Sequence, residues 1–187
     1  NTTPVTVQNE PVLNASANNP IVCINGVSVI STTITGGSGS FVYQWQISPD
    51  GTSNWNNVSS GGNGPTYNVP TSTAGTFYYR IILTDTANGC DDPAPVVVLI
   101  EVESQPTVSI SATNTNLCIG GSSTISSVVS NGSGFFTYQW QSSADATSWA
   151  NITNQGNGVS YNVPTGTPNS TYYRVLVTDA ANGCNDP

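Results

Sequence analysis

The sequence predicts an all-β protein built from tandem antiparallel β-sandwiches of about seven strands each, arranged head to tail. Three observations favour this fold class. One unit of about 94 residues occurs twice in the 187-residue chain, apolar residues alternate with polar ones over short segments, and clusters of Gly, Pro, Asn and Asp separate these segments. A unit of this length suits a single sandwich domain.

The repeat is defined by cysteine and aromatic positions. Cys23, Trp45, Tyr67, Tyr79 and Cys90 recur as Cys118, Trp140, Tyr161, Tyr173 and Cys184, each 94 or 95 residues later. The offset changes within the copy because "DGTSNW" is shortened to "DATSW". We therefore predict one repeat at residues 10–104 and a second at residues 105–187, with residues 1–9 in front of them.

The first three predicted strands of the unit are separated by turn-forming residues. "PVLNASA" at 11–17 alternates apolar with polar residues and ends at "NNP". "VSVISTTI" at 27–34 is rich in β-branched residues and ends at "GGSGS". "FVYQWQIS" at 41–48 places its aromatic residues on one face, which we predict to be the core face, and its glutamines on the other.

Four further strands complete the predicted unit. "WNNVS" at 55–59 and "TYNVP" at 66–70 are short and lie between turn-forming clusters. "TFYYRIILTD" at 76–85 alternates, and we expect its apolar side chains to form the stripe that faces the Trp strand. "PVVVLIEV" at 95–102 is almost wholly apolar and closes the unit.

The positions in the chain at which the repeats begin and end predict an unusual arrangement of strands. Aligning Pro11 with Pro106 places "PVTV" (4–7) against "LIEV" (99–102), so residues 1–9 are expected to be the final strand of a preceding repeat or a donor strand. The second repeat is then expected to lack its final strand. Either the chain is a window on a longer array, or it is a subunit whose N-terminal strand completes the next molecule. The unbroken join "LIEVESQPTVSI" favours the array.

Composition excludes several function classes. The net charge is −8, with two Arg and no Lys or His, so we expect no nucleic-acid partner. No apolar run approaches the roughly 18 to 20 residues needed to span a bilayer, so we expect no membrane insertion. Catalytic residues and cofactors are not predicted, because the usual general bases and amine nucleophiles are absent. Asp85, Asn88, Asp91 and Asp92 have the oxygen ligands that calcium prefers, but Asx-rich turns usually bind their own backbone, so no metal site is predicted.

Arg80 and Arg174 occupy equivalent outward positions on the long strand of each repeat. We expect them to be hydrogen-bonded or ion-paired strand residues. The acids of the nearby "TD" turns are the expected partners.

The four cysteines predict disulfides. Five predicted strands lie between Cys23 and Cys90, which places these residues at opposite tips of one sandwich. We therefore predict that Cys23 bonds Cys184 across the junction of the repeats, and that Cys90 and Cys118 bond neighbouring units. A single wrong strand assignment would restore the alternative pairing within each repeat.

The pattern "YQWQxSxD…W…Y…YYR…GC", present in both copies, resembles the Ig-like (PKD-like) repeats of giant cell-surface adhesins of Bacteroidota, including proteins of gliding motility and type IX secretion. The resemblance covers nearly the whole chain. It implies Ig-like sandwiches in an extracellular protein. It also implies that "DTA" at 85–87 is an O-glycosylation motif with Thr86 as acceptor, a site that "DAA" in the second copy lacks.

These observations favour a non-catalytic, structural and adhesive component of a secreted cell-surface filament. The expected partners are neighbouring repeats or identical subunits, together with surface polysaccharides or other cell surfaces. The alternative is a secreted carbohydrate-binding or spacer module of a larger enzyme. That alternative requires an exposed aromatic platform, for which Trp55 and Trp149 are the candidates.

Overall fold

The computed structural model describes residues 2–87 and 89–187 and divides the chain into two compact units, residues 1–103 and 104–187. In the described residues, the regular structure consists of fourteen β-strands. None of the described residues belongs to a helix that would be long and apolar enough to cross a bilayer.

The first unit contains two sheets. One sheet has the strand order β1-β3-β6 and the other has the order β2-β8-β7-β4-β5. The strands are β1 (Val12–Ala17), β2 (Ile21–Cys23), β3 (Val29–Thr35), β4 (Phe41–Ser48), β5 (Asn56–Asn57), β6 (Thr66–Asn68), β7 (Gly75–Asp85) and β8 (Val96–Glu103). Buried residues from both sheets form one continuous hydrophobic core, so the unit is a β-sandwich.

Trp45 lies at the centre of this core and is fully buried. Its indole Nε1–H donates a hydrogen bond to the Gly64 carbonyl at 2.9 Å, which satisfies its polar atom without contact with water. Its ring stacks against Tyr67 with centroids 6.2 Å apart, and Tyr67 in turn contacts Tyr79 at 5.4 Å. The predicted inward orientation of the aromatic residues on this strand is confirmed for Trp45.

The long strand β7 is paired on both sides. It pairs antiparallel with β4, where Trp45 lies opposite Ile81, and antiparallel with β8, where Tyr79 lies opposite Val98. The apolar stripe of β7 therefore lies beside Trp45 in the same sheet, which corrects the expectation that the two stripes face each other across the core. Alternation of apolar and polar residues predicts which face of a strand points to the core. It does not predict which strand pairs beside it, so two strands with apolar stripes can be neighbours in one sheet.

Strand β2 is a difference from the sequence prediction. Its three residues pair parallel with β8, from Ile21 opposite Glu101 to Cys23 opposite Glu103. A segment this short has too little alternation to be recognised, and it follows Pro20 directly. It nevertheless matters, because it buries Val22 completely at the edge of the sheet.

The second unit repeats six of these strands. They are β9 (Thr107–Ala112), β10 (Thr124–Ser130), β11 (Phe136–Ser143), β12 (Ala150–Asn151), β13 (Ser160–Asn162) and β14 (Tyr172–Asp179), in sheets β13-β10-β9 and β12-β11-β14. Trp140 is fully buried, and its Nε1–H donates to the Gly158 carbonyl at 2.8 Å, as Trp45 does in the first unit. The predicted fold class, tandem Ig-like β-sandwiches, is confirmed.

The two units differ at one sheet edge. Strand β14 corresponds to β7 and pairs with β11, but within residues 104–187 it has no second neighbour in its sheet. Counterparts of β2 and β8 are not found among the described strands of this unit. The core of the second unit is consequently smaller, and fewer of its residues are fully buried.

We expect two separate thermal transitions, with the second unit unfolding at the lower temperature because its core is smaller. Replacing Trp140 with Ala should lower that transition, since truncating a buried Trp typically costs about 3–5 kcal/mol. The matched change Trp45→Ala should lower the other transition. Differential scanning calorimetry of the three chains measures this. A Trp140→Ala chain in which only the higher transition moves would contradict the assignment.

Candidate functional site

The second unit contains an open groove of about 1020 Å³ beside strand β14. We call it the β14 groove. Apolar lining residues are Ile110, Leu117, Ile119, Ile125, Val163, Tyr172 and Tyr173. Among the described residues that line it, none carries a carboxylate or a basic side chain. The groove is therefore lined by apolar residues together with uncharged polar ones such as Asn114 and Asn116, and its described lining lacks the acid–base pairs of an active site.

The equivalent region of the first unit is filled. Val22 in β2 is fully buried, whereas Leu117 at the equivalent position of the second unit is 41% exposed. Ile110 and Ile119 are also exposed, at 50% and 64%. In the first unit β8 covers this part of the core, with Ile100 fully buried. The groove therefore lies at the position that β2 and β8 occupy in the first unit.

The four cysteines, all within the described residues, differ in state. Cys23 and Cys184 are disulfide-bonded, whereas Cys90 and Cys118 are free thiols. The alternative pairs within each repeat, Cys23 with Cys90 and Cys118 with Cys184, are therefore not formed. Burial raises the pKa of the Cys90 thiol, and the carboxylate of Asp85 raises it further. Cys118 is exposed and lines the β14 groove.

The outward arginines have partners other than those expected. Arg80 donates from Nε to Oε1 of Gln46 at 2.7 Å, and its guanidinium lies 4.5 Å above the ring of Trp55. The second unit repeats the arrangement: Arg174 Nε donates to Gln141 Oε1 at 2.6 Å, and the guanidinium lies 4.5 Å above Trp149. The expectation that acids of the "TD" turns are the partners is wrong, because those acids bind serines in a neighbouring loop.

The carboxylates of Asp85 and Asp179 each hold a glycine-rich loop. Asp85 accepts hydrogen bonds from the backbone N–H of Ser38 at 2.7 Å and from the Ser38 hydroxyl. Asp179 accepts the same two bonds from Ser133, at 2.7 and 2.5 Å. The serine hydroxyl and backbone bonds lower the pKa of Asp85; at Asp179 burial raises the pKa, but the Ser133 bonds outweigh it and the net shift is downward.

Glycine is required beside both carboxylates. Gly37 has φ +72°, and a Cβ there would lie 2.8 Å from Oδ2 of Asp85. Gly132 has φ +75°, and a Cβ there would lie 2.5 Å from Oδ2 of Asp179. A side chain at either position would be strained and would push the carboxylate away. Sequence reasoning missed these Ser–Asp contacts, although the repeated "GSGS" and "GSGF" loops carry the signal.

The candidate calcium residues serve local hydrogen bonding. Asp92 Oδ1 accepts the backbone N–H of Asp85 at 2.9 Å, and the backbone N–H of Asp91 donates to Glu10 Oε2 at 2.7 Å. Asn88 lies outside the described residues. The carboxylates of Asp85 and Asp92 thus accept backbone N–H groups, whereas Asp91 takes part through its own backbone N–H.

Two surface sites named from the sequence are accessible. Thr86, the candidate glycosylation acceptor, is exposed, and its hydroxyl donates to the Ser40 carbonyl at 3.0 Å. Trp55 and Trp149, the candidate sugar platform, are half-buried, and one face of each ring is covered by its arginine. The covered face is not available for stacking on a sugar.

Comparison with known proteins identifies a family. The family described as Domain of unknown function (DUF8696) matches residues 13–104 and again residues 107–187. The chain therefore belongs to this family and contains two copies of its domain. No curated protein matches the sequence.

Several solved structures are similar in fold. Murine CEACAM1b is 17% identical with a TM-score of 0.46, over 91% of this chain and 94% of its own. The three N-terminal domains of the bacteriophage RB49 Highly Immunogenic Outer Capsid protein are 15% identical with a TM-score of 0.45, over 92% and 55%. The Clostridium thermocellum CbhA fibronectin(III)-like modules are 12% identical with a TM-score of 0.36, over 93% and 90%. At these values the likenesses carry no inference about function.

The acidic turns predict a loss of stability in acid. The Ser53 hydroxyl and the backbone N–H groups of Ser53 and Thr52, at 2.7 and 2.9 Å, hold the pKa of Asp50 well below its ordinary value. The backbone N–H groups of Ser148 and Thr147, both at 2.8 Å, do the same for Asp145, together with hydroxyl donors. A carboxyl whose pKa is lower in the folded state stabilises the fold above its unfolded pKa, and this stabilisation is lost as pH falls towards the folded pKa.

We therefore expect the melting temperatures to be constant above about pH 5 and to fall steadily between about pH 4 and pH 2. The double variant Asp50→Asn, Asp145→Asn should melt lower at pH 7 and should fall less steeply in acid. Calorimetry across this pH range measures both effects. An unchanged acid slope in the double variant would show that these turns do not contribute.

Proposed function

We propose that this protein is a structural and adhesive component of an extracellular cell-surface filament made of tandem Ig-like domains. The observation that carries the proposal is the repetition of one sandwich with almost no spacer. Strand β8 ends at Glu103 and β9 begins at Thr107, so only three residues, including Pro106, connect the two units. Short linkers that contain Pro act as semi-rigid spacers, which suits a load-bearing fibre.

The surface chemistry supports the same function. In each unit one aspartate holds a loop and the single arginine covers a Trp ring, so these charged groups serve the fold. No catalytic function is proposed, because the β14 groove has no acid–base pair along its described lining. Neighbouring repeats or identical subunits are the proposed partners within the filament, and surface polysaccharides or other cell surfaces are the proposed adhesion targets. The resemblance to Bacteroidota adhesins supports this location.

The rival function, a carbohydrate-binding or spacer module of an enzyme, rests on Trp55 and Trp149. Both rings are half-buried beneath arginines, which leaves each with a single free face at most. Stacking on sugars usually requires an open aromatic platform. The geometry thus supports the filament over the binding module.

We further propose that disulfides link successive units. In this proposal Cys23 bonds Cys184 between the two repeats, and Cys90 and Cys118 bond cysteines of neighbouring units. Joining two thiols forms one S–S bond and releases two protons and two electrons, which the disulfide of a protein or small-molecule oxidant accepts as it is reduced to a dithiol. Such bonds would hold the filament together under tension.

Peptide mapping tests the linkage. Digestion of the oxidised chain without reductant, after alkylation of free thiols, is expected to yield a Cys23–Cys184 linked peptide, with Cys90 and Cys118 alkylated. The variant Cys23→Ser should leave Cys184 alkylated as well. Because the chain has only two Arg and no Lys, an acid-directed or chymotryptic protease is needed. Recovery of a Cys23–Cys90 linkage would overturn the proposal.

Immuno-electron microscopy tests the filament itself. Antibodies raised against the 187-residue chain should label fibres on cells that produce the protein, at intervals along each fibre. Antibody absorbed beforehand with the pure chain is the control and should remove the label. Label found solely on a soluble secreted glycoside-cleaving enzyme would overturn the filament and establish the rival function.

A further inference from the structure

Each unit carries a row of three polar side chains across the outer face of one sheet. In the first unit Gln46 on β4 lies directly opposite Arg80 on β7 and, on its other side, opposite Asn57 on β5. Side chains opposite each other on one face of a sheet are close enough to contact. Trp45, the preceding residue of β4, points into the core, so these three side chains point outward. We call them the polar row.

The arginine fixes the direction of every hydrogen bond in the polar row. Arginine has donors and no acceptor, so the Gln46 atom that Nε of Arg80 contacts at 2.7 Å is the carbonyl oxygen Oε1. The Nε2 group of Gln46 then donates to Oδ1 of Asn57 at 2.9 Å. Both side-chain oxygens are thus engaged. Within the described residues, the Nη groups of Arg80 and Nδ2 of Asn57 have no acceptor, so the polar row presents N–H donors outward.

The second unit repeats the polar row with Gln141, Arg174 and Asn151 in the same register. Nε of Arg174 donates to Gln141 Oε1 at 2.6 Å, and Gln141 Nε2 donates to Asn151 Oδ1 at 2.6 Å. Arg174 and Asn151 are both exposed. The row lies on the β4 and β5 side of the sheet, where β11 and β12 are the equivalent strands, so it is a property of each unit by itself.

The guanidinium group of each row is held in a fixed position. In the first unit it lies 4.5 Å above the ring of Trp55 while its Nε is bonded to glutamine, and Trp149 has the same role in the second unit. Within the described residues no carboxylate contacts either guanidinium. The two Nη groups of a fixed guanidinium match the two oxygens of a carboxylate, and little side-chain freedom is lost on binding.

An aromatic ring lies beside the polar row. Tyr78 precedes Arg80 by two residues on β7, so its side chain points to the same outer face, where it is half-buried. Tyr172 has the equivalent position before Arg174 in the second unit. A sugar acid combines the two features that this surface matches. Its carboxylate accepts hydrogen bonds from the row, and the C–H groups of its ring pack on an aromatic side chain.

We propose that the polar row of each unit binds the carboxylate of an acidic sugar, such as a uronic acid residue of a surface polysaccharide. This inference rests on the proposed adhesive function and names the chemical class of its target. The Nη groups of Arg80 donate to the two carboxylate oxygens, and Nδ2 of Asn57 donates to a neighbouring sugar oxygen. Because the row recurs in each unit, a filament offers the same site repeatedly to a polymer with repeating carboxylates.

The net charge of the chain excludes non-specific attraction as a cause of such binding. At −8 the protein repels a polyanion over the screening length, which is about 8 Å at about 0.15 M salt. Association with an acidic polymer at that salt therefore requires local contacts. Binding to the polar row is measured under this condition for the same reason.

Calorimetric titration with polygalacturonate tests the ligand class. The full chain, in calcium-free buffer at about 0.15 M salt, is expected to bind this polymer. The fully methyl-esterified polymer has the same sugar rings without the charge, and it should bind about tenfold more weakly or less, because the charge-assisted hydrogen bonds are lost. No binding of polygalacturonate, or equal affinity for the ester, would overturn the inference.

The double variant Asn57→Asp, Asn151→Asp tests the polar row itself. Aspartate keeps the oxygen that accepts from glutamine, so the melting temperatures should stay unchanged, but the outward donor becomes a charged oxygen. Affinity for polygalacturonate should fall about tenfold or more. The matched control Asn14→Asp, Ser109→Asp adds the same charge to exposed positions on the other sheet of each unit and should bind like the parent chain. Parent-like binding by the row variant would contradict the proposed site.

Poly-L-glutamate distinguishes an acidic sugar from an acidic protein as the ligand. It presents carboxylates without a sugar ring, so it should bind more weakly than polygalacturonate at equal carboxylate concentration. Equal or tighter binding of poly-L-glutamate would show that the polar row takes an acidic protein and would overturn the sugar assignment.

This inference and the filament function fail in different experiments. If immuno-electron microscopy labels fibres but the chain does not bind polygalacturonate, the filament stands and the sugar-acid site fails. If the chain binds polygalacturonate in the expected pattern but fibres carry no label, the filament fails and the sugar-acid site stands.

Discussion

The pairing of a long strand with its neighbours in the sheet is the constraint on which the core of each unit depends. In the first unit β7 lies between β4 and β8, and the inward residues of all three strands form one buried core. In the second unit β14 has β11 on one edge and the open groove on the other. The difference in burial between Val22 and Leu117 follows directly from this difference in pairing.

The repeated polar contacts explain how so few charges serve two domains. Asp85 and Asp179 hold glycine-rich loops through serine, while Arg80 and Arg174 lie over tryptophan rings. Each contact satisfies a charged group locally, with hydrogen bonds or an aromatic face. The rest of the surface carries few charges, among them those of Glu10, Asp91 and Asp92, and is rich in Asn, Ser and Thr.

Sequence reasoning succeeded where a pattern has a local physical cause. Alternation identified the Trp45 strand and its core face, because side chains of a strand alternate between faces. It failed for Arg80, whose partners Gln46 and Trp55 are reached only across neighbouring strands and turns. It also missed β2, because a strand of three residues is too short to show an alternation of apolar and polar side chains. It did not predict the lining of the β14 groove, because the lining residues come from separate segments of the chain.

The amino-acid sequence was sufficient for the all-β class, the two copies and the buried tryptophans, because these follow from periodicity and composition within single segments. Tertiary structure alone decided which strands are neighbours, which cysteines are bonded and which apolar residues remain exposed. Those properties depend on segments distant in the chain meeting in space, as when β2 and β8 meet at one sheet edge. No local pattern encodes the identity of the segment on the other side of a hydrogen-bonded edge.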